Sequence, residues 1–204
     1  MKKFALILLT ILISAEILHA QDVIQLSDGK EKKGYIDRIG SERIFYRKKE
    51  GGRMHYVDKE NAFRIIKAKG DTVYIYEQDS LQENEYSIAQ FERNILGQQE
   101  ARKYYKPWRH AAAGFCVGGA SAFLGLYWSF LPPAIYTSFI GVREVNSAYF
   151  VVSDEVYLSD EYYLDGYEIS ARAIRIKYTV VGALTGLATS ITLLQFVIPT
   201  NSPE

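Results

Sequence analysis

One cysteine, Cys116, stands among 204 residues, so the chain can form no disulfide within itself. Histidine is nearly as scarce: His19, His55 and His110 are too scattered to give a pair at metal-ligand spacing. GxSxG, HExxH, the phosphate-binding loop and the dinucleotide fingerprint are all missing. The paired acids Asp154-Glu155 and Asp160-Glu161 have the chemistry to bind Ca²⁺ or act on a sugar, but in a polar stretch they read first as a solvated loop. Cys116 lies among apolar residues with no base nearby, where a thiol behaves as a small hydrophobe. The sequence therefore points away from an enzyme and offers no catalytic residue, metal or cofactor.

A net charge is also lacking, since 24 basic and 24 acidic residues cancel. The balance conceals a partition. Charge crowds into residues 22–110 and 143–177, whereas 111–142 and 178–200 contain no Asp, Glu, Lys or Arg. As one straight helix, 111–142 would run to about 48 Å, well beyond the roughly 30 Å of bilayer hydrocarbon. Leu131-Pro132-Pro133 is the expected interruption. Two membrane helices are predicted, Ala111 to Leu131 and Tyr178 to Ile198, with Trp108, Tyr127 and Trp128 near the interfaces. The bland alternative is a pair of buried helices in a soluble domain, which Thr179, Thr185, Thr189, Thr192 and Gln195 keep open.

Both apolar segments place small residues at steps of four: Gly114, Gly118 and Ala122 in the first, Gly182, Gly186 and Ser190 in the second. In lipid there is little hydrophobic gain from helix association, so close backbone contact must supply the attraction. The ladders predict an antiparallel hairpin of the two helices, or one groove for the hairpin and one for an identical neighbour. Compositional background is the competing explanation.

Lys2 and Lys3, an apolar run from Phe4 to Ser14, then Leu18-His19-Ala20 before Gln21, have the layout of a bacterial export signal over residues 1–20. Leu18 three residues before the cleavage point keeps an uncleaved anchor open. Residues 21–80 then alternate in short runs punctuated by Gly and Asp: DVIQL, KGYIDRI, RIFYR, RMHYV, FRII and TVYIY. They predict an SH3-like barrel or sandwich with a thin core of Val23, Leu26, Ile36, Ile39, Ile44, Tyr46, Val57, Ile65, Val73 and Ile75. The fold class is thus α+β.

Residues 81–110 predict an amphipathic linker helix, with Ile88, Phe91, Ile95 and Gln99 at helical spacing. Its end carries Arg102, Lys103, Lys106, Trp108 and Arg109, a basic and aromatic mixture suited to lipid headgroups. Arg172, Arg175 and Lys177 occupy the same position before the second apolar segment. Each segment also has a glycine followed four or five residues on by Ala-Arg, so YYLDGYEISARAIRIKY loosely echoes NILGQQEARKYYKPWRH. A duplication and a shared chemistry of membrane boundaries both account for the echo. Between the spans, 143–177 reads as an acidic, tyrosine-rich loop within a membrane unit of 111–200.

In combination, DVIQLSDGKEKKGYI, LGQQEARKYY, LPPAIY and YYLDGYEISARAIRIK resemble exported envelope proteins of Bacteroidota-type bacteria that join a small β domain to a glycine-rich membrane hairpin. The resemblance implies architecture and compartment and carries over no functional residue. The expected protein is an inner-membrane envelope scaffold or accessory subunit. Its β domain lies in the periplasm, residues 143–177 in the cytoplasm and Asn201 to Glu204 outside. Its partners are the lipid bilayer and an envelope protein, wall component or second copy of itself; export leaves no nucleic acid to meet. The alternative is an oligomeric pore or transport component built from the glycine-ladder helices.

Overall fold

A computed structural model describes residues 21–78, 86–125, 127–146 and 150–197. The expected signal at 1–20, the second span's last residue Ile198 and the C-terminal 201–204 lie outside them. The chain divides into two compact units after Ile88.

The first unit is antiparallel β. Its strands are β1 (Asp22–Leu26), β2 (Glu31–Ile39), β3 (Arg43–Arg47), β4 (Met54–Asp58), β5 (Ala62–Ile66) and β6 (Thr72–Tyr74). They form one sheet in the order β4-β3-β2-β1-β5-β6. Gly29 and Gly70, at φ 74° and 95°, supply the left-handed turns that the SDG and KGD sequences signal. The sheet is not closed: β4 and β6 would have to pair, and β6 is three residues long and pairs with β5 alone. The closed barrel is therefore corrected to an open six-stranded sheet.

Ile24, Ile44, Tyr46, Val57, Ala62 and Ile65 form the core, with Leu26, Ile36, Val73 and Ile75 packed against it. Two expected members fall outside it. Ile39 pairs with Ile44 but sits at the end of β2 and stays 44% exposed, and Val23 is only half-buried while its neighbour Ile24 is enclosed. Phe63 is fully buried against Tyr74 and Tyr76, ring centroids 5.8 and 6.0 Å away.

The second unit contains α1 (Ile88–Tyr104), α2 (Trp108–Ser121), α3 (Leu131–Val142) and α4 (Glu161–Val197). The first apolar segment is not one helix to Leu131. It ends at Ser121, passes a 3-10 turn at Ala122–Leu124 and breaks at Gly125, whose φ is 79°. Pro132 and Pro133 do not interrupt a helix; they open α3, where a missing N–H costs nothing. The second expected span is the C-terminal part of α4, which has 37 residues and absorbs half of the anticipated loop. Among the described residues, α4 is the one helix long and apolar enough to cross a membrane.

The extra helix reverses a direction. Ala111 of α2 packs on Gly182, Phe115 on Gly186, and Gly119 near Ser190, so α2 and α4 rise together and run parallel. An antiparallel two-helix hairpin would need the opposite order. α3 makes the return instead, ending with Gly141 against Ile176.

Candidate functional site

Every sequence-predicted ladder glycine is at a helix crossing. A Cβ added to Gly114 would overlap the carbonyl of Thr179, and one on Gly118 that of Ala183. In return, a Cβ on Gly182 would overlap the carbonyl of Ala111, and one on Gly186 that of Phe115. The contact is reciprocal: each glycine admits the carbonyl three residues before its partner glycine. The third rungs differ. Ala122 is buried but belongs to the 3-10 turn, and Ser190 lies instead beside Gly119, its Oγ 3.1 Å from the position of an added Cβ.

The same reciprocity appears a few turns earlier, at a pair missing from the ladder. Gly97 of α1 admits the Tyr163 carbonyl and Gly166 of α4 admits that of Asn94. These two glycines head the echoed segments, which are thus parallel neighbours. Along α4 one line of enclosed residues, Tyr163, Tyr167, Ala171, Arg175, Thr179, Ala183 and Leu187, advances in an unbroken step of four beside the buried Gly166, Ser170, Gly182 and Gly186. A seam longer than 3.6 residues drifts around the helix, so α1 and α2 must wind right-handedly to follow it. Pro107, in the break between α1 and α2, permits the change of direction.

That crossing overturns the amphipathic reading of α1. Its enclosed face is Asn94, Ile95, Gly97, Gln98, Glu100 and Ala101, largely small or polar, whereas Ile88 is exposed. Backbone proximity leaves little room for large side chains, and hydrogen bonds satisfy the polar ones. Asn94 Nδ2 donates to Asp165 at 2.8 Å, Gln98 Nε2 to Asn94 at 2.8 Å and Gln90 Nε2 to Tyr162 at 2.7 Å. α1 is consequently part of the helical unit and not a linker.

Glu100 holds the segment before α4. Its carboxylate accepts from the Tyr163 hydroxyl at 2.8 Å, the Ser153 amide at 2.9 Å and the Ser153 hydroxyl. Burial pushes its pKa up, but the Ser153 and Tyr163 hydrogen bonds and the Lys103 charge outweigh that and hold it below the usual value. A depressed carboxylate stabilises the fold above its unfolded pKa and loses that contribution as pH falls through the folded one. Thermal melts should therefore show the native protein losing stability on acidification below about pH 4. Glu100→Gln should start about 1–2 kcal/mol lower at neutral pH and show a flatter acid limb; parallel acid limbs would remove Glu100 from the account. One member of each acid pair bonds a nearby backbone amide, Asp154 accepting from Val156 and Asp160 from Tyr163, while Glu155 and Glu161 are exposed. Among the described residues no cluster of potential metal ligands occurs.

The residues expected at the membrane boundary divide into four groups. Arg102 and Lys103 are exposed on the last turn of α1. Lys106, Trp108, Arg109 and Lys177 are exposed at the start of the apolar part, with the Arg109 guanidinium 5.8 Å from the Trp108 ring centroid. Arg172 pairs with Glu168 one turn back on α4. Arg175 is a correction, since it is only 6% exposed and faces protein. Its Nη2 donates to the carbonyls of Ile140, at 2.7 Å, and Arg143, and its Nη1 to that of Glu144 at 3.3 Å. It caps the negative end of α3, a place where cations are favoured. Sequence spacing along α4 could have exposed this role, because Arg175 lies on the step-of-four seam.

Comparison with known protein families, curated proteins and solved structures finds no match.

Proposed function

We propose that the protein is a membrane-anchored envelope scaffold in which the helical unit sits in lipid and the small β unit is presented to a protein or wall partner. One observation carries the membrane part. The charge-free segments leave Phe115, Phe123, Trp128, Phe130, Ile135 and Phe139 exposed, and the C-terminal part of α4 adds Val181, Leu184, Leu193 and Phe196. So much contiguous apolar surface is rare on a protein surrounded by water. The pore alternative gains nothing comparable: Thr185, Thr189 and Thr192 turn their hydroxyls back onto the carbonyls of Val181, Thr185 and Ala188, as threonines in lipid-facing helices do.

Parallel packing changes the topology that goes with this reading. α2 with its 3-10 turn would rise about 27 Å, close to the hydrocarbon thickness, and bring Tyr127 and Trp128 to the far interface. Residues 143–160 then share a side with α1, and the β unit follows by connectivity, as residues 21–107 hold no apolar run long enough to cross. An export signal makes that side extracytoplasmic. The concentration of Lys and Arg there favours a second orientation with the β unit in the cytoplasm. In a Cys116→Ser background, cysteines at Ser41 and Ser159 should react together with an impermeant maleimide and a cysteine at Tyr127 should react oppositely. Ser41 reactivity in intact spheroplasts identifies the orientation. Opposite reactivity of Ser41 and Ser159 would restore the two-helix hairpin and overturn this topology. Extraction of the native protein from membranes by alkaline carbonate would remove the anchor itself.

A further inference from the structure

We infer that the helical unit carries a receptor for the phosphate of anionic phospholipid headgroups, formed by a collar of cations where α2, α3 and α4 meet at the start of their charge-free parts. The inference rests on the membrane reading and names the lipid partner of that anchor. The glycine register sets the level: Gly114 is matched with Gly182 and Gly118 with Gly186, so about one and a half turns back Arg109 is level with Lys177. α3 arrives at the same height from the other direction, because Arg175 holds its last carbonyls and Gly141 touches Ile176. Arg143, immediately after α3, joins the level, and Arg172 lies one turn back along α4.

Drawn from three separate stretches of sequence, Lys106, Arg109, Arg143, Arg172 and Lys177 thus lie near one level of the helices, with Arg143 and Arg172 closest to the buried Arg175. Two carboxylates, Glu144 and Glu168, oppose these six cations, which leaves a surplus of positive charge. On the bilayer side there is none of either sign for the rest of α2, α3 and the described part of α4. Exposed Trp108, beside Arg109, is the aromatic group that favours headgroup depth. A lipid supplies both partners this geometry lacks: an anion for the collar and acyl chains for the apolar flank below it.

The test uses the full chain in detergent, mixed with equimolar phosphatidylglycerol and phosphatidylcholine of identical acyl chains, with retained lipid counted by native mass spectrometry. Phosphatidylglycerol should be retained at least tenfold over phosphatidylcholine. Arg109→Gln, Arg143→Gln and Lys177→Gln should each reduce that preference about fivefold, from the usual contribution of one basic residue at an anionic surface. Arg102→Gln with Lys103→Gln, at the end of α1, should leave it nearly unchanged, and an unaltered melting temperature shows that each variant is folded. Arg175 is left intact because it caps α3. Equal retention of the two lipids by a protein that still embeds in neutral liposomes would overturn the receptor and leave the membrane reading standing. Failure to embed in any liposome would overturn both. Displacement of phosphatidylglycerol by millimolar inorganic phosphate would show a soluble-anion site in place of a lipid one.

Discussion

Gly118→Ala, a change of one methyl group, is expected to destabilise the detergent-solubilised protein by about 3 kcal/mol, because overpacking a tight interface moves backbone and not a flexible side chain. The new Cβ would overlap the carbonyl of Ala183, and neither helix can shift there without opening the reciprocal contact at Gly186. Gly186→Ala should cost a similar amount, since its Cβ overlaps the Phe115 carbonyl. The adjacent residue is the control. An added Cβ on Gly119 meets the Ser190 Oγ at 3.1 Å and the Gly186 carbonyl at 3.8 Å, which a serine rotamer change relieves. Gly119→Ala should therefore fall within about 0.5 kcal/mol of the native protein, as should Leu184→Ile on the exposed face. Denaturant-induced unfolding in mixed micelles measures all four variants, and equal losses at 118 and 119 would mean that the helices are not in backbone contact.

Arg175→Met should be nearly as damaging for a different reason. Methionine keeps the length of the apolar stem but leaves the carbonyls of Ile140, Arg143 and Glu144 at the end of α3 without their donor. At roughly 1–3 kcal/mol for a stranded buried polar group, partly relieved by water, the loss should come to about 2–4 kcal/mol. Arg175→Lys should recover only a fraction, because one ammonium cannot match the planar fork that reaches all three acceptors. The readout that separates this cap from a general loss of packing is local: a cysteine at Ile140, buried in the native protein, should become reactive in Arg175→Met before the protein unfolds globally. An unreactive Ile140→Cys in that variant would show that α3 is held by something else.

Legibility in the sequence followed the kind of interaction. The strands were readable because alternation and turn glycines are local signals; RIFYR is β3 residue for residue. Closure of the sheet was not, since it depends on whether two edges meet and no local pattern records that. The ladder glycines lie where two helix backbones approach, yet spacing alone has no direction: Gly114 and Gly118 serve a parallel and an antiparallel partner equally well. The direction is set by the break at Gly125 and by α3, and Pro132-Pro133 could be read as ending one helix or beginning another. Arg175 looked like its basic neighbours because burial of a charge is decided by tertiary partners, here the carbonyls at the end of α3. The polar face of α1 was missed for a related reason. A hydrophobic pattern identifies helices that bury large side chains, and Asn94, Gly97 and Ala101 bury almost none.

The direction of the helix pair is most directly measured by spin-label distances in a Cys116→Ser background, with labels on the exposed residues Ala112 or Ala120 of α2 and Val180 or Thr189 of α4. Parallel helices in the observed register make 112–180 and 120–189 the short pairs. The crossed pairs 112–189 and 120–180 should be longer, as labels are displaced by about 12–14 Å along the axis. Short distances for the crossed pairs and long ones for the others would mean an antiparallel hairpin and would contradict the account.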